Sequence, residues 1–186
     1  QDTSQQLTIV CERAQYNQTT DYLKASGGRP LLISSLEGDS LYLASDTLIA
    51  VSRQDSVVVD SIETRIDTSR TLFAYPDVRI YKSDLQALCD SLVYSTRDSM
   101  FRFFDDPIIW SDTSQFTADT IYMTLSNEQI DQILLRNRSF IINSPDELYF
   151  NQIKGKNTIA FFEEGDLRRM RVKGNAESVY YALDEE

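Results

Sequence analysis

Apolar residues recur at every second position through much of the chain. Val78 and Ile80 flank Arg79, Leu92 and Tyr94 flank Val93, Phe101 and Phe103 flank Arg102, and Met170 and Val172 flank Arg171. That is the period of a strand with one buried face, not the 3.6-residue period of a helix. Turn-forming clusters separate these runs: STRDS at 95–99, FDDP at 104–107, SDTS at 111–114, NSPD at 143–146, KGKN at 154–157 and EEGD at 163–166. Short strands at regular spacing predict an all-β sandwich, roll or barrel. One stretch, SNEQIDQILL at 126–135, carries a capping-box pair in Ser126 and Gln129. The alternation of Ile133 and Leu135 nevertheless reads as a strand over 130–135, with Phe140 to Ile142 following a turn.

The pattern repeats. Residues 77–94, DVRIYKSDLQALCDSLVY, lie over residues 106–123, DPIIWSDTSQFTADTIYM, without a gap. Asp77 falls on Asp106, Ile80 on Ile109, Gln86 on Gln115, Asp90 on Asp119 and Leu92 on Ile121. Further copies are keyed on Asp46 in SDTLIA, on Asn151 in FNQI and, more faintly, on Glu12 in CERAQY. Each unit reads as strand, corner, strand. A short acceptor side chain can take a hydrogen bond from a backbone N–H two residues ahead. Asp46, Asp90, Asp119 and Asn151 are therefore expected to be structural corners. A catalytic carboxylate repeated at every rung would be odd, because one site needs one pair.

Composition narrows the functional classes. The chain has 186 residues, 41% of them apolar, so a sizeable core is available. Ten Tyr and nine Phe favour strands. A net charge of −11 argues against nucleic acid, whose phosphates it would repel. Residues 130–175 are the exception, with eight basic side chains against six acids, where the remainder has ten against 23. That excess is either a solvated face or a local site for an anionic group. Cys11 and Cys89 fit no zinc or redox spacing; they form a disulfide or are two small buried residues. No apolar run reaches the length of a membrane-spanning helix, and Gln1 reads as a mature or trimmed start.

Candidate chemistry is sparse. The chain has no His, which excludes Ser–His–Asp triads, Cys–His dyads and histidine metal sites. Asp105 and Asp106 are adjacent at a turn and make a poor catalytic pair. The insertion-like segment 52–70 lacks the dense acidic spacing of a calcium loop and reads as a loop or an added strand. Gly27 and Gly28 are a lone turn signal. No catalytic residue, metal site or cofactor is expected. The apolar faces must then either close on each other as an ordinary core or leave room for a ligand.

The strings YPDVRIYKSDLQALCDSLVY, DPIIWSDTSQFTADTI, FNQIKGKN and MRVKGNAESVYY resemble the OstA-like proteins of Bacteroidetes type. These belong to the OstA/LptA family of lipopolysaccharide transport, or organic solvent tolerance, proteins. The resemblance is strongest from Thr71 to Glu186. It implies one OstA-like β-jelly-roll over residues 1–186, which can be a segment of a longer protein. The fold would be two antiparallel sheets in a V or slide, built from strand–corner–strand repeats. It further implies a non-enzymatic periplasmic protein, associated with the outer membrane of a Gram-negative bacterium, whose apolar interior binds the acyl chains of lipid A. Its partners would be lipopolysaccharide and other Lpt-type proteins, or further copies of itself, joined edge strand to edge strand.

Under that resemblance the groove would be lined by Leu48, Ile80, Leu92, Tyr94, Phe101, Phe103, Ile109, Phe116, Ile121, Met123, Ile133, Leu135, Ile141, Ile153, Met170 and Val172. Arg168, Arg169, Arg171 and Lys173 are the candidates to face lipid phosphates. Two alternatives remain: a scaffold of the same fold with a closed core, and a carbohydrate-active enzyme using paired carboxylates.

Overall fold

A computed structural model describes residues 7–36, 39–60, 63–127, 129–144 and 147–182, and its regular elements are all strands. In chain order they are β1 (Leu7–Val10), β2 (Arg13–Asn17), β3 (Tyr22–Ser26), β4 (Leu31–Leu36), β5 (Asp39–Ala44), β6 (Thr47–Asp60), β7 (Glu63–Tyr75), β8 (Val78–Lys82) and β9 (Leu85–Cys89). There follow β10 (Ser91–Ser95), β11 (Met100–Phe104), β12 (Ile108–Ser111), β13 (Ser114–Thr117), β14 (Thr120–Ser126), β15 (Gln129–Asn143), β16 (Asn151–Glu163), β17 (Asp166–Lys173) and β18 (Glu177–Val179). The stretch with a helix-like cap is the start of β15, a strand.

Pairing is antiparallel throughout and sorts the strands into two layers. The first runs β1–β4–β5–β8–β9–β12–β13, then the second half of β15, the first half of β16, and β18. The second runs β2–β3–β6–β7–β10–β11–β14, then the first half of β15, the second half of β16, and β17. Successive hairpins are laid down alternately in one layer and the other. The fold is an all-β roll of strand–corner–strand units, with β15 and β16 passing through both layers.

Register explains why the alternation was legible. In the second layer Ala14, Ala25, Leu48, Ala74, Leu92, Phe103, Ile121, Leu135, Thr158 and Val172 lie directly opposite one another from strand to strand. A parallel row two residues further from the corners contains Tyr16, Leu23, Ala50, Leu72, Tyr94, Phe101, Met123, Ile133, Ala160 and Met170. The first layer answers with Ile9, Leu32, Leu43, Ile80, Ala87, Ile109, Phe116, Ile141 and Ile153. A slip by one residue in any strand would turn its apolar set outward. The rows meet between the layers: the rings of Phe116 and Phe162 lie 6.1 Å apart, and residues of both layers form one buried cluster.

The crossings between layers form a spine, and the two directions of crossing differ chemically. Chain passing from the second layer to the first does so through left-handed residues: Gly27, Gly28 and Arg29, then Asp77, then Asp105 and Asp106, then Asn137 and Arg138, then Gly174 and Asn175. Asp, Asn and Gly tolerate that conformation best, which accounts for the polar residues there. Passage the other way uses Glu12, Asp46, Asp90 and Asp119, none of which has a positive φ. The N–H groups of Glu12, Asp46 and Asp119 donate across the spine to the carbonyls of Gly27, Pro76 and Asn137.

Two expectations are revised, and for segment 52–70 the strand alternative holds. Asn151 is not a corner: it begins β16, opposite Asn143, within the first layer. The equivalent bond is made by the Lys156 N–H to the Gly174 carbonyl. KGKN at 154–157 is not a turn but the point where β16 changes layer without a break. The segment 52–70 is part of the long β6–β7 hairpin, and from Arg53 to Ser69 its strands pair only with each other among the described residues.

Gly155 marks how tight the change of layer is. A Cβ there would collide with Val172 Cγ1. Gly155→Ala is expected to lower the unfolding free energy by about 1–3 kcal/mol, as overpacking does. Adding Val172→Ala should recover part of the loss, which paired urea titrations would check.

Candidate apolar groove

All sixteen positions expected on the inward face lie on the three facing rows. They are not equally covered. Leu48, Leu92, Phe103, Ile109, Phe116, Ile121, Met123, Ile133, Leu135 and Ile141 are essentially inaccessible, and Ile80 and Phe101 are nearly so. Tyr94, Ile153 and Met170 are half-buried against the same cluster, and Val172 is half-buried as well. The stacked pair Tyr94 and Phe101, with ring centroids 4.3 Å apart, closes the second row at mid-molecule. From there to Phe162 the interlayer space is filled by the protein's own side chains.

Toward the N-terminus the filling thins. The rows there carry Ala25, Ala50 and Ala74, and the second row, at Leu23, Ala50 and Leu72, is only half-buried. The facing Leu32, Leu43 and Ile80 are buried. Sequence reasoning picked only Leu48 and Ile80 from this half. The signal was present in YLKAS at 22–26, LLISSL at 31–36 and TLFAY at 71–75, where Leu and Ala alternate with other residues without aromatic emphasis. Trp110 points the other way: it pairs with Gln86 and Gln115 on the outer face, and its Nε1 donates to Gln115 Oε1 at 2.9 Å.

The four phosphate candidates lie on β17, an outermost strand of the second layer. Arg169, Arg171 and Lys173 alternate with the inward Met170 and Val172, so they project from the outer face. The Arg169 guanidinium sits 4.4 Å from the centre of the Phe161 ring. Arg168 occupies the irregularity between Phe161 and Phe162 and pairs with Asp166 at 3.2 Å. None of the four faces the space between the layers.

The polar groups of the spine serve one another. Arg138 donates from Nε to Asp119 and from Nη2 to Asp106 at 2.7 Å, tying three crossings together. Arg29 donates to Asp77 at 2.9 Å. The Asp90 carboxylate accepts from the Ser91 hydroxyl at 2.7 Å rather than from a backbone N–H two residues on. Beside Arg138 the surface dips into a depression of about 620 Å³ lined in part by Lys154, Lys156, Asn175 and Glu177. Its cations are largely committed, Arg138 to the two aspartates and Lys154 to Glu177 at 2.8 Å. Among the described residues no three acidic, Cys or His side chains converge as a metal site would require. Asp105 and Asp106 are left-handed corner residues, the second held by Arg138. Cys11 and Cys89 are both free thiols.

No protein-family model and no curated protein matches the chain. Among solved structures it is similar to LptH, the LptA homologous periplasmic component of the conserved lipopolysaccharide transport device from Pseudomonas aeruginosa. The TM-score is 0.43 at 12% identity, over 70% of this chain and 83% of that one.

Two titrations follow from the local environments. Burial pushes the Cys89 thiol up to about 12, with Asp90 and Asp105 adding to the effect. At pH 8 Cys89 should therefore alkylate far more slowly than an unfolded thiol, with urea restoring the normal rate. Asp39 is brought down from 3.8 to about 2, chiefly by the Ser83 hydroxyl, then by the Ser40 N–H and Lys82. A depressed carboxyl stabilises the fold above its unfolded pKa, and that stability is lost as pH falls through the folded value. The contribution should fade between pH 3.8 and about 2. Thermal melts of Asp39→Asn should show a shallower fall across that window than the parent.

Proposed function

We propose that this chain is a non-enzymatic lipopolysaccharide-binding module, a single OstA/LptA-like domain. It would act in the periplasm of a Gram-negative bacterium in the transport of lipopolysaccharide or its assembly at the outer membrane. The observation that carries the reading is the pair of facing apolar surfaces joined at one spine, sealed from Phe101 to Phe162 and half-buried at Leu23, Ala50 and Leu72. The half-buried stretch of that surface would accept extended hydrocarbon laid across its strands rather than a compact substrate at a point. Each CH₂ transferred from water contributes roughly 0.8 kcal/mol, so a few acyl chains suffice for firm binding. The resemblance of residues 71–186 to OstA-like proteins points the same way.

The ends of the roll supply a route to partners. β1 and β2 each pair on one side only among the described residues, and so do β17 and β18. Open edges are templates for strand addition. On this reading β1 and β2, with Leu7, Val10 and Tyr16 exposed, are the better docking edge. β18 has three residues, and β17 carries a Lys/Arg-rich surface of the kind that blunts an edge. Lpt-type proteins or further copies of the chain would pair there.

A second reading is a scaffold with a closed core, and the complete burial of Phe103, Phe116, Ile121 and Leu135 favours it for the C-terminal half. Isothermal titration separates the two. The carrier reading expects saturable binding of lipid A and none of its fully deacylated form. Absence of heat or co-elution with lipid A and with any acylated analogue leaves the scaffold.

A further inference from the structure

We infer that the acyl-binding segment is confined to the N-terminal half of the roll, where a single acyl chain lies along Leu23, Ala50 and Leu72 with its anionic head group at Arg70. The inference rests on the lipid-carrying reading and sharpens it to a place, a capacity and a head-group contact.

Three observations converge. The first is size. The second row holds Leu23, Ala50 and Leu72 on β3, β6 and β7, then Tyr94, Phe101, Met123 and Ile133 on the strands beyond. Ala50, the small residue among these seven, sits in the half-buried stretch from Leu23 to Tyr94, whereas Phe101, Met123 and Ile133 are sealed. Close-packed protein does not part readily around Phe101, Met123 and Ile133, since each is already in contact on all sides. Leu23 and Ala50 stand apart from the buried cluster and need no such rearrangement.

The second is extent. The half-buried row crosses β3, β6, β7 and β10, three gaps of ~4.8 Å each. That length suits one chain of medium length laid across the strands, and Tyr94 with its stacked partner Phe101 forms the inner stop.

The third is charge. Arg70 lies two residues beyond Leu72 on the same face of β7, opposite Ser52. It is exposed and forms no ion pair among the described residues. Asp21, bonded by the Tyr16 hydroxyl at 3.1 Å, lies within electrostatic reach of it. On the opposite layer Lys82 occupies the position beyond Ile80, but Asp39 at 3.4 Å and Asp84 at 2.6 Å already neutralise it. In a chain of net charge −11, Arg70 is thus a cation without an ion pair among the described residues of this rim. A phosphate or carboxylate at the end of an acyl chain would complement it.

The test places a photoreactive benzoyl-phenylalanine at Leu72 or at Met170 in the full chain and irradiates each with lipid A. Both positions are half-buried on the same row, and melts verify that each variant folds. Adduct at 72 with little at 170 is the expected result. Adduct at 170 in preference to 72, or binding by calorimetry without adduct at 72, overturns the placement while leaving lipid carriage standing. No binding at all ends both. Arg70→Glu should weaken lipid A binding about tenfold while sparing its dephosphorylated form. Equal loss for both forms would refute the head-group contact.

Discussion

The contact on which the two layers depend is the packing of Phe103, Ile121 and Leu135 against Ile109, Phe116 and Ile141, all essentially without exposed surface. A sheet of short strands has too little area per strand to be stable alone. Here it folds back on itself, and each fully buried large side chain contributes roughly 1.5–3 kcal/mol. Because the rows are in register from strand to strand, burying one residue commits its neighbours to the same face. The hairpins can therefore be added one after another without a new solution at each step.

The spine is the second constraint, and it follows from the first. Chain leaving one layer must reverse its inward face within two or three residues. Left-handed Asp, Asn, Arg and Gly achieve this in one direction. In the other direction the bend is held by a backbone N–H donated to the neighbouring crossing. Arg138 then links Asp106 and Asp119, so that the crossings lock to one another rather than to solvent. The polar inventory that a catalytic reading would need is absorbed here in turns and ion pairs.

Much of this was legible in the sequence, for identifiable reasons. The 29-residue offset between CDSLVY and ADTIYM is one circuit of the roll, from Asp90 through β10, β11, β12 and β13 to Asp119. Strict alternation placed Phe101, Phe103, Ile121 and Met123 on one face, because a half-buried strand admits no other arrangement. Asn151 misled because β15 and β16 turn their corners inside unbroken strands, where Gly155 and Lys156 replace the usual Asp. The basic strand misled in a different way: Arg169, Arg171 and Lys173 alternate with Met170 and Val172, so the same period that put the latter inside put the former outside. The half-buried N-terminal row was overlooked because alanine carries little pattern. Whether a row is sealed or open depends on what faces it across the layers, which no single strand records.

The central claim is that hydrocarbon enters between the layers. Methyl NMR of the labelled chain with lipid carrying a nitroxide on its acyl tail tests it directly. The account predicts paramagnetic broadening of inward methyls such as those of Leu23, Ala50 and Leu72. The outward methyls of Ile49, Val93, Leu134 and Ile159 should stay sharp. Broadening of the outer face alone, or of neither face at saturating lipid, would contradict it.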